Sequence, residues 1–157
     1  MKAAFGFLWK NKGKDVIDTI KLYMEYSIMG VLAFMSFLTL WFTLERYFFL
    51  SKVKIEEFKK KGELENTLTN NLTTISTIAS NAPYIGLFGT VCGIMITFYK
   101  ISESSNFDTS SVMLGLALAL KATAFGILVA IFATIVYNGL ARKVEVLMTK
   151  WEDLNEN

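Results

Sequence analysis

Three stretches of the chain carry almost no charge. Tyr26–Leu44 runs for 19 residues between Glu25 and Glu45-Arg46. Ala82–Tyr99 runs for 18 and closes at Lys100. Val112–Ala141 runs for 30, carries one charge, Lys121, and ends at Arg142-Lys143. A helix needs about 20 apolar residues to cross a hydrocarbon core of roughly 30 Å. A helix that is apolar all round can also be a buried core helix of a soluble domain. Three such runs in 157 residues leave too little polar chain to cover them. The pattern predicts an all-α integral membrane protein of one membrane domain, with transmembrane helices at 26–44, 82–99 and 112–141.

The polar segments fit between these spans. In 1–25, Val16, Ile17, Ile20, Tyr23 and Met24 recur at helical spacing, with Lys14, Asp15, Asp18 and Lys21 on the other face. This reads as an amphipathic arm lying in the membrane interface. It is not a secretory signal, because Ala3–Trp9 is short and no small-residue cleavage site follows. Segment 45–81 begins charge-rich over 51–63. Leu64, Leu68, Leu72, Ile75 and Ala79 then keep a helical stripe running straight into the second span. Nothing from Asn66 to Tyr99 is charged, and the first half of that run is rich in Thr and Asn. It reads as an extension of the second membrane helix, packed against copies of itself or against the tail. In the tail, 142–157, Val144, Leu147, Met148, Trp151 and Leu154 continue a stripe beyond span three. A short loop, 100–111, joins spans two and three. The N-terminus and this loop carry six basic residues; 45–81 and the tail carry nine. The positive-inside rule places 45–81 and the C-terminus in the cytoplasm and the N-terminus in the periplasm.

Composition removes whole classes of chemistry. There is no His, so the commonest metal ligand and general base are missing. The single Cys92 forms no intramolecular disulfide and no thiolate cluster. Net charge is +2, without the clustered Lys/Arg excess that nucleic acid requires. We expect no enzyme, no metal, no cofactor and no nucleic-acid partner.

Small residues mark the faces that pack. On span two, Gly86, Thr90, Gly93 and Thr97 fall within about 60° of one another at 100° per residue, and Gly89 borders them. On span three, Gly115, Ala119, Ala122, Gly126 and Ala133 form a similar stripe, with Thr123 and Thr134 at its edge. Such stripes let membrane helices approach closely. Each threonine either satisfies its own helix backbone or contributes to a polar ring. Thr90 and Thr123 come level in an antiparallel hairpin, roughly 24 Å from a turn near Asn106-Phe107. Lys121 is costly, at about 2.5–3.5 kcal/mol for a charge at the centre of a span. It snorkels to an interface, faces a wet cavity, or meets a carboxylate. By this reading the chain supplies no carboxylate within a span, so the acid comes from another chain or the lysine is neutral.

The strings NAPYIGLFGTVCGIMITF (81–98) and GLALALKATAFGILVAIFATIVYN (115–138) resemble the MotA/TolQ/ExbB family, the stator subunits of proton-driven envelope and flagellar motors. The resemblance rests on Pro83, the block Gly86–Ile94, the block Ala119–Gly126 and Tyr137-Asn138, together with the three-span layout. It implies a homo-oligomeric ring, a pentamer, around the membrane helices of an ExbD-like single-span partner that carries an essential aspartate. A TonB-like protein would join the complex, and protons would pass inward through its core. Family threonines lining that cavity match Thr90 and Thr123. Many members carry a glutamate at the position of Leu118; here Lys121 can present the opposite charge three residues on.

The reading is a proton-channel subunit of the bacterial inner membrane with Thr90, Thr97, Lys121 and Thr123 on the pathway. Lys121 would act as counter-charge to the partner's aspartate. Gly86, Gly89, Gly93, Gly115, Ala119, Ala122 and Gly126 would pack the helices. A short chain with a short arm is most similar to the branch that serves the TonB system. A subunit of the Tol-Pal envelope-integrity system, a small-solute transporter and a structural adaptor remain the alternatives.

Overall fold

The computed structural model describes the backbone of residues 2–103 and 109–155, with side chains from Val16 onward apart from residues 17, 18, 103 and 111. The turn near Asn106-Phe107 lies outside the described residues. Among the described residues four α-helices follow one another: α1 (Lys2–Lys52), α2 (Lys61–Thr69), α3 (Leu72–Glu103) and α4 (Thr109–Asn155), with a 3-10 turn at Ile55–Glu57. Three stretches within them are long and apolar enough to cross a membrane: Thr19–Lys52, Leu72–Ser102 and Val112–Asn155. At 1.5 Å per residue the 51 residues of α1 extend about 77 Å, far beyond a roughly 30 Å hydrocarbon core. α4, with 47 residues, is nearly as long.

The helix ends add one detail to the sequence reading and change another. The N-terminal arm and the first span form one unbroken helix, so residue 25 marks no change in the backbone. No Gly or Pro lies between Lys14 and Met29 to break it, which is why α1 continues. Conversely, the stripe from Leu64 to Ala79 does not run straight into span two. It is cut at Asn70-Asn71, where Asn71 adopts φ +62°. Asparagine tolerates this left-handed conformation better than most residues. The stripe itself survives the corner, because Leu64, Leu68, Leu72 and Ile75 are all buried.

The chain divides into two compact units, Met1–Leu32 with Tyr84–Ile127 and Ala33–Pro83 with Leu128–Asn157. The second unit holds the apolar core. Leu50 of α1, Leu64 and Leu68 of α2, Leu72, Ile75 and Ile78 of α3, and Ala133, Leu140, Val144 and Trp151 of α4 are buried together. The extension of α3 therefore packs against the tail, one of the two arrangements its stripe allowed. The connection before α2 is held to the tail as well. Trp151 Nε1 donates to the Phe58 carbonyl at 3.0 Å, and Lys61 Nζ sits 2.6 Å from Glu152 Oε1. The hydrogen bond and charge of Glu152 raise the Lys61 pKa above its ordinary 10.5. Because that pKa is raised, the Lys61 charge is fully in place below pH 10.5 wherever Glu152 is ionised, and its contribution is lost as pH rises through the raised pKa. Hydroxyl and amide side chains, among them Ser76, Thr77, Ser80 and Asn81, line an open groove of ≈ 700 Å³ beside Tyr137 and Glu145.

One buried cation closes the α2–α3 corner onto α1. Arg46 is only 4% exposed. Its Nη1 donates to the Thr67 carbonyl at 3.1 Å and its Nη2 to Glu45 Oε1 at 2.9 Å. The other Glu45 oxygen accepts from Asn71 Nδ2 at 2.7 Å, and the guanidinium lies 4.9 Å from the Phe49 ring centroid. Arg46→Leu removes the donor from the Thr67 carbonyl and the cation from Glu45. The expected cost is about 1–3 kcal/mol, read as a lower Tm of the purified protein in detergent, with helical content unchanged before unfolding.

Candidate functional site

The first unit is a meeting of α1, α3 and α4 in which side chains are nearly absent from the α3–α4 seam. A Cβ added to Gly86 would lie 2.7 Å from the Ala122 carbonyl oxygen and 2.9 Å from the Thr123 Cα. It would also lie 3.2 Å from the Cα of Gly126. One added to Gly93 would lie 2.7 Å from the Ala119 Cβ, and one added to Gly115 would lie 2.8 Å from Thr97 Oγ1. Gly89 faces both neighbours, with Ala122 Cβ at 2.7 Å and Ile28 Cγ2 of α1 at 3.1 Å. Without water or apolar drive between helices in lipid, this backbone approach supplies the packing contacts that hold α3 to α4.

The approach brings hydroxyls together. Thr90 Oγ1 and Thr123 Oγ1 are 2.5 Å apart, and Thr90 Oγ1 also lies 3.1 Å from the Ala119 carbonyl and 3.4 Å from its own Gly86 carbonyl. A hydroxyl has one proton to give and two lone pairs to receive. Thr123 can thus donate to Thr90 while Thr90 donates to Ala119. Thr97, about two turns further along the same face of α3, donates to the Gly93 carbonyl at 2.8 Å and packs on Gly115. Thr90 and Thr97 are buried within the single chain, whereas Thr123 is half-buried. Thr134 also bonds its own helix, at the Ala130 carbonyl.

Lys121 belongs to another side of α4. It stands two positions before Thr123, about 200° of helix rotation. Its ammonium lies 3.6 Å from Glu25 Oε1 of α1, with the two side chains 48% and 37% exposed. The expectation that no carboxylate of this chain reaches Lys121 is therefore corrected. Glu25 bounds the first uncharged run, but α1 continues unbroken through it and its apolar stretch begins at Thr19. The separation exceeds the 2.7–2.9 Å or so of a tight charge-assisted hydrogen bond, so the pair is loose. The available signal was Glu25 itself, the charge nearest the start of the first uncharged run. Beside the pair, Lys21, Glu25, Gly93, Gly115, Leu118 and Ala119 line a cavity of ≈ 40 Å³. Among the described residues no cluster of His, Cys, Asp or Glu fits a metal ion, and Cys92 is a free thiol.

Residues 51–153 match the MotA/TolQ/ExbB proton channel family. The biopolymer transport protein ExbB of Aquifex aeolicus is 51% identical over 140 residues, covering 89% of this chain and 95% of that protein. ExbB of Helicobacter pylori strain J99 is 48% identical over 132 residues, covering 84% and 91%. The Tol-Pal system protein TolQ of Haemophilus influenzae is 44% identical over 85 residues, but those cover 54% of this chain and 37% of TolQ.

The seam is sensitive to single methyl groups. Gly86→Ala drives a Cβ into the backbone of α4 and is expected to destabilise the protein by about 1–3 kcal/mol, the usual cost of overpacking. Gly30, with nothing within 4 Å of an added Cβ, is the control. Gly30→Ala should hold or raise stability by about 0.5–1 kcal/mol, since alanine favours helix. Thermal unfolding in detergent separates the two. The larger replacements Gly89→Leu and Gly126→Leu should lower the unfolding temperature further than Gly86→Ala in the same measurement.

Proposed function

The chain belongs to the MotA/TolQ/ExbB proton channel family, and from that premise we propose that it drives a TonB-like protein, for outer-membrane import, from within an inner-membrane complex. Members of this family are proton-channel transport subunits and not enzymes. The coarser activity follows directly: a multi-pass membrane protein that takes part in coupling proton motive force to work. The finer reading has a homo-oligomeric ring of this chain, a pentamer, surrounding an ExbD-like single-span partner whose membrane aspartate meets the α3–α4 seam. The N-terminus lies in the periplasm and the C-terminus in the cytoplasm.

The observation that carries the proposal is the pair of hydroxyls held in register at the seam. Thr123 and Thr90 make a hydroxyl pair inside an apolar helix pair, with the Ala119 carbonyl as the final acceptor. Each hydroxyl can donate one proton and accept at its lone pairs without holding a net charge, so the pair offers polar contacts to a passing proton carrier in low dielectric. Glycines supply the proximity and threonines supply the polarity. Lys121 adds a positive charge on the far side of α4, and low dielectric lets a charge act beyond contact distance. Energetically, one charge crossing 100 mV yields about 2.3 kcal/mol, so one or two protons suffice for a conformational step of a few kcal/mol.

A TolQ-like role is the second reading, because the same seam residues fall in the matched family region. Coverage favours the TonB-linked role: the two ExbB relatives align over nearly their whole length and TolQ over 37% of its own.

The double variant Thr90→Val, Thr123→Val keeps shape and removes both hydroxyls. We expect the complex with the single-span partner to copurify in normal yield. Iron-siderophore uptake per complex should fall by about tenfold or more, the rate effect of roughly 1.4 kcal/mol. Uptake at the wild-type level would reject the hydroxyl pathway.

A further inference from the structure

In the second unit a cation stands where the exposed apolar surface ends, and no acid of the chain answers it. Lys143 follows Arg142 directly after the run 112–141. Its Nζ donates to Ser51 Oγ at 2.6 Å and lies 4.9 Å from the centroid of the Tyr47 ring. Ser51 Oγ gives its own proton to the Tyr47 carbonyl at 2.6 Å, so its lone pair is free to receive the ammonium. These contacts fix Lys143 against α1, yet neither the hydroxyl nor the ring carries a formal charge. The carboxylates nearest to the group in sequence are engaged elsewhere: Glu45 holds Arg46 and Asn71, and Glu145 holds Arg142. Lys52, next to Ser51, is exposed and forms no ion pair among the described residues.

The height of the pair is set by the side chains around it. Along α1, Phe34, Phe37, Trp41, Leu44, Tyr47 and Phe48 are all exposed, and no large apolar residue of α1 is exposed after Phe48. On α4, Phe132 and Ile135 are exposed, and no other large apolar residue is exposed between Ile135 and Lys143. Both helices therefore run out of lipid-suited surface where Lys143 touches Tyr47 and Ser51. Trp and Tyr at that level are the residues that favour a membrane–water boundary. Beside them Phe48, Phe49, Lys52 and Val53 line an open recess of ≈ 320 Å³, and the Tyr47 and Phe48 rings meet edge to face at 5.9 Å. Three apolar side chains and one ammonium suit a molecule with an anionic head and an apolar body. They do not suit a small free anion, which needs polar groups all round.

We propose that Lys143 and Lys52 form a docking site for an anionic phospholipid. Its phosphate meets the two ammonium groups, which bind phosphate as point charges. Its glycerol and acyl portions lie against Phe48. Ser51 and Tyr47 are positioning residues that keep Lys143 at the α1–α4 boundary. The lipid supplies the negative charge that the chain does not, in the way juxtamembrane basic residues attract anionic leaflets.

The test is native mass spectrometry of the complex with its single-span partner, in detergent with equal amounts of phosphatidylglycerol and phosphatidylcholine. Bound molecules of each lipid are counted per complex. We expect phosphatidylglycerol to be retained over phosphatidylcholine by about fivefold or more. The double variant Lys52→Gln, Lys143→Gln should lose that preference, and Lys52→Arg, Lys143→Arg should keep it. Lys150→Gln, in the tail, should leave it unchanged. Excess glycerophosphate, which has the charge without the chains, should not displace the lipid. Equal retention of the two lipids by the wild type, as when another subunit covers this face, would overturn the proposal. So would an unchanged preference in the glutamine variant, an equal loss in Lys150→Gln, or displacement by glycerophosphate. A loss that appears only together with a broken complex, or equally in the arginine variant, would make the lysines structural and overturn it too.

Discussion

The contact on which the first unit depends is the approach of the α3 and α4 backbones at Gly86, Gly89, Gly93 and Gly115. Helices in lipid gain nothing by hiding apolar surface from water, so they associate where backbone atoms touch. Four added Cβ atoms would each meet a neighbour at 2.7–2.8 Å. Everything polar in the unit is positioned by this. Thr90 and Thr123 meet only because no side chain stands between their helices. Thr97 settles on Gly115 for the same reason. With α3 and α4 fixed, Ile28 of α1 closes against Gly89, and Glu25 and Lys121 come within ion-pair distance.

The second unit is built on another principle. Its core is an ordinary apolar one, with leucines and isoleucines at helical spacing from four helices and a tryptophan tied to a backbone carbonyl. Polar groups there act as corner fittings. Arg46 gives its two Nη groups to the Thr67 carbonyl and Glu45 beside the Asn70-Asn71 break between α2 and α3. The contrast in sequence is plain: glycine, alanine and threonine in one unit, leucine, isoleucine and charge in the other. Large apolar side chains such as Phe34, Phe88, Met95 and Ile135 remain exposed along the helices. They are the surface that lipid or further subunits must cover.

Much of this was legible in the sequence because the relevant signals are local. Uncharged runs report a bilayer-spanning helix whatever surrounds it, since the unmet cost is one of solvation and not of contacts. The glycine, alanine and threonine stripes follow from a fixed 100° per residue, so the small-residue faces of α3 and α4 could be written down from positions alone. The buried stripe Leu64, Leu68, Leu72, Ile75 was equally readable, as was the division between a charge-rich connection and the helix after it.

What only the tertiary structure decided was which faces meet and at what height. Spacing put Thr123 and Lys121 on the same helix, and a pathway role was assigned to both. Packing separates them, giving Thr123 to α3 and Lys121 to α1. Glu25 marked the end of a run in one dimension; in three it is the counter-ion of a residue far along the chain. The break at Asn70-Asn71 was hidden for a similar reason. Both asparagines are acceptable in a helix, and only the Arg46–Glu45–Asn71 network shows the corner that the chain takes. The sequence determined the solvent, the helices and their small and polar faces, because each is a property of neighbouring residues. Register between helices decided the charge pair, because it depends on the summed packing of three faces at once.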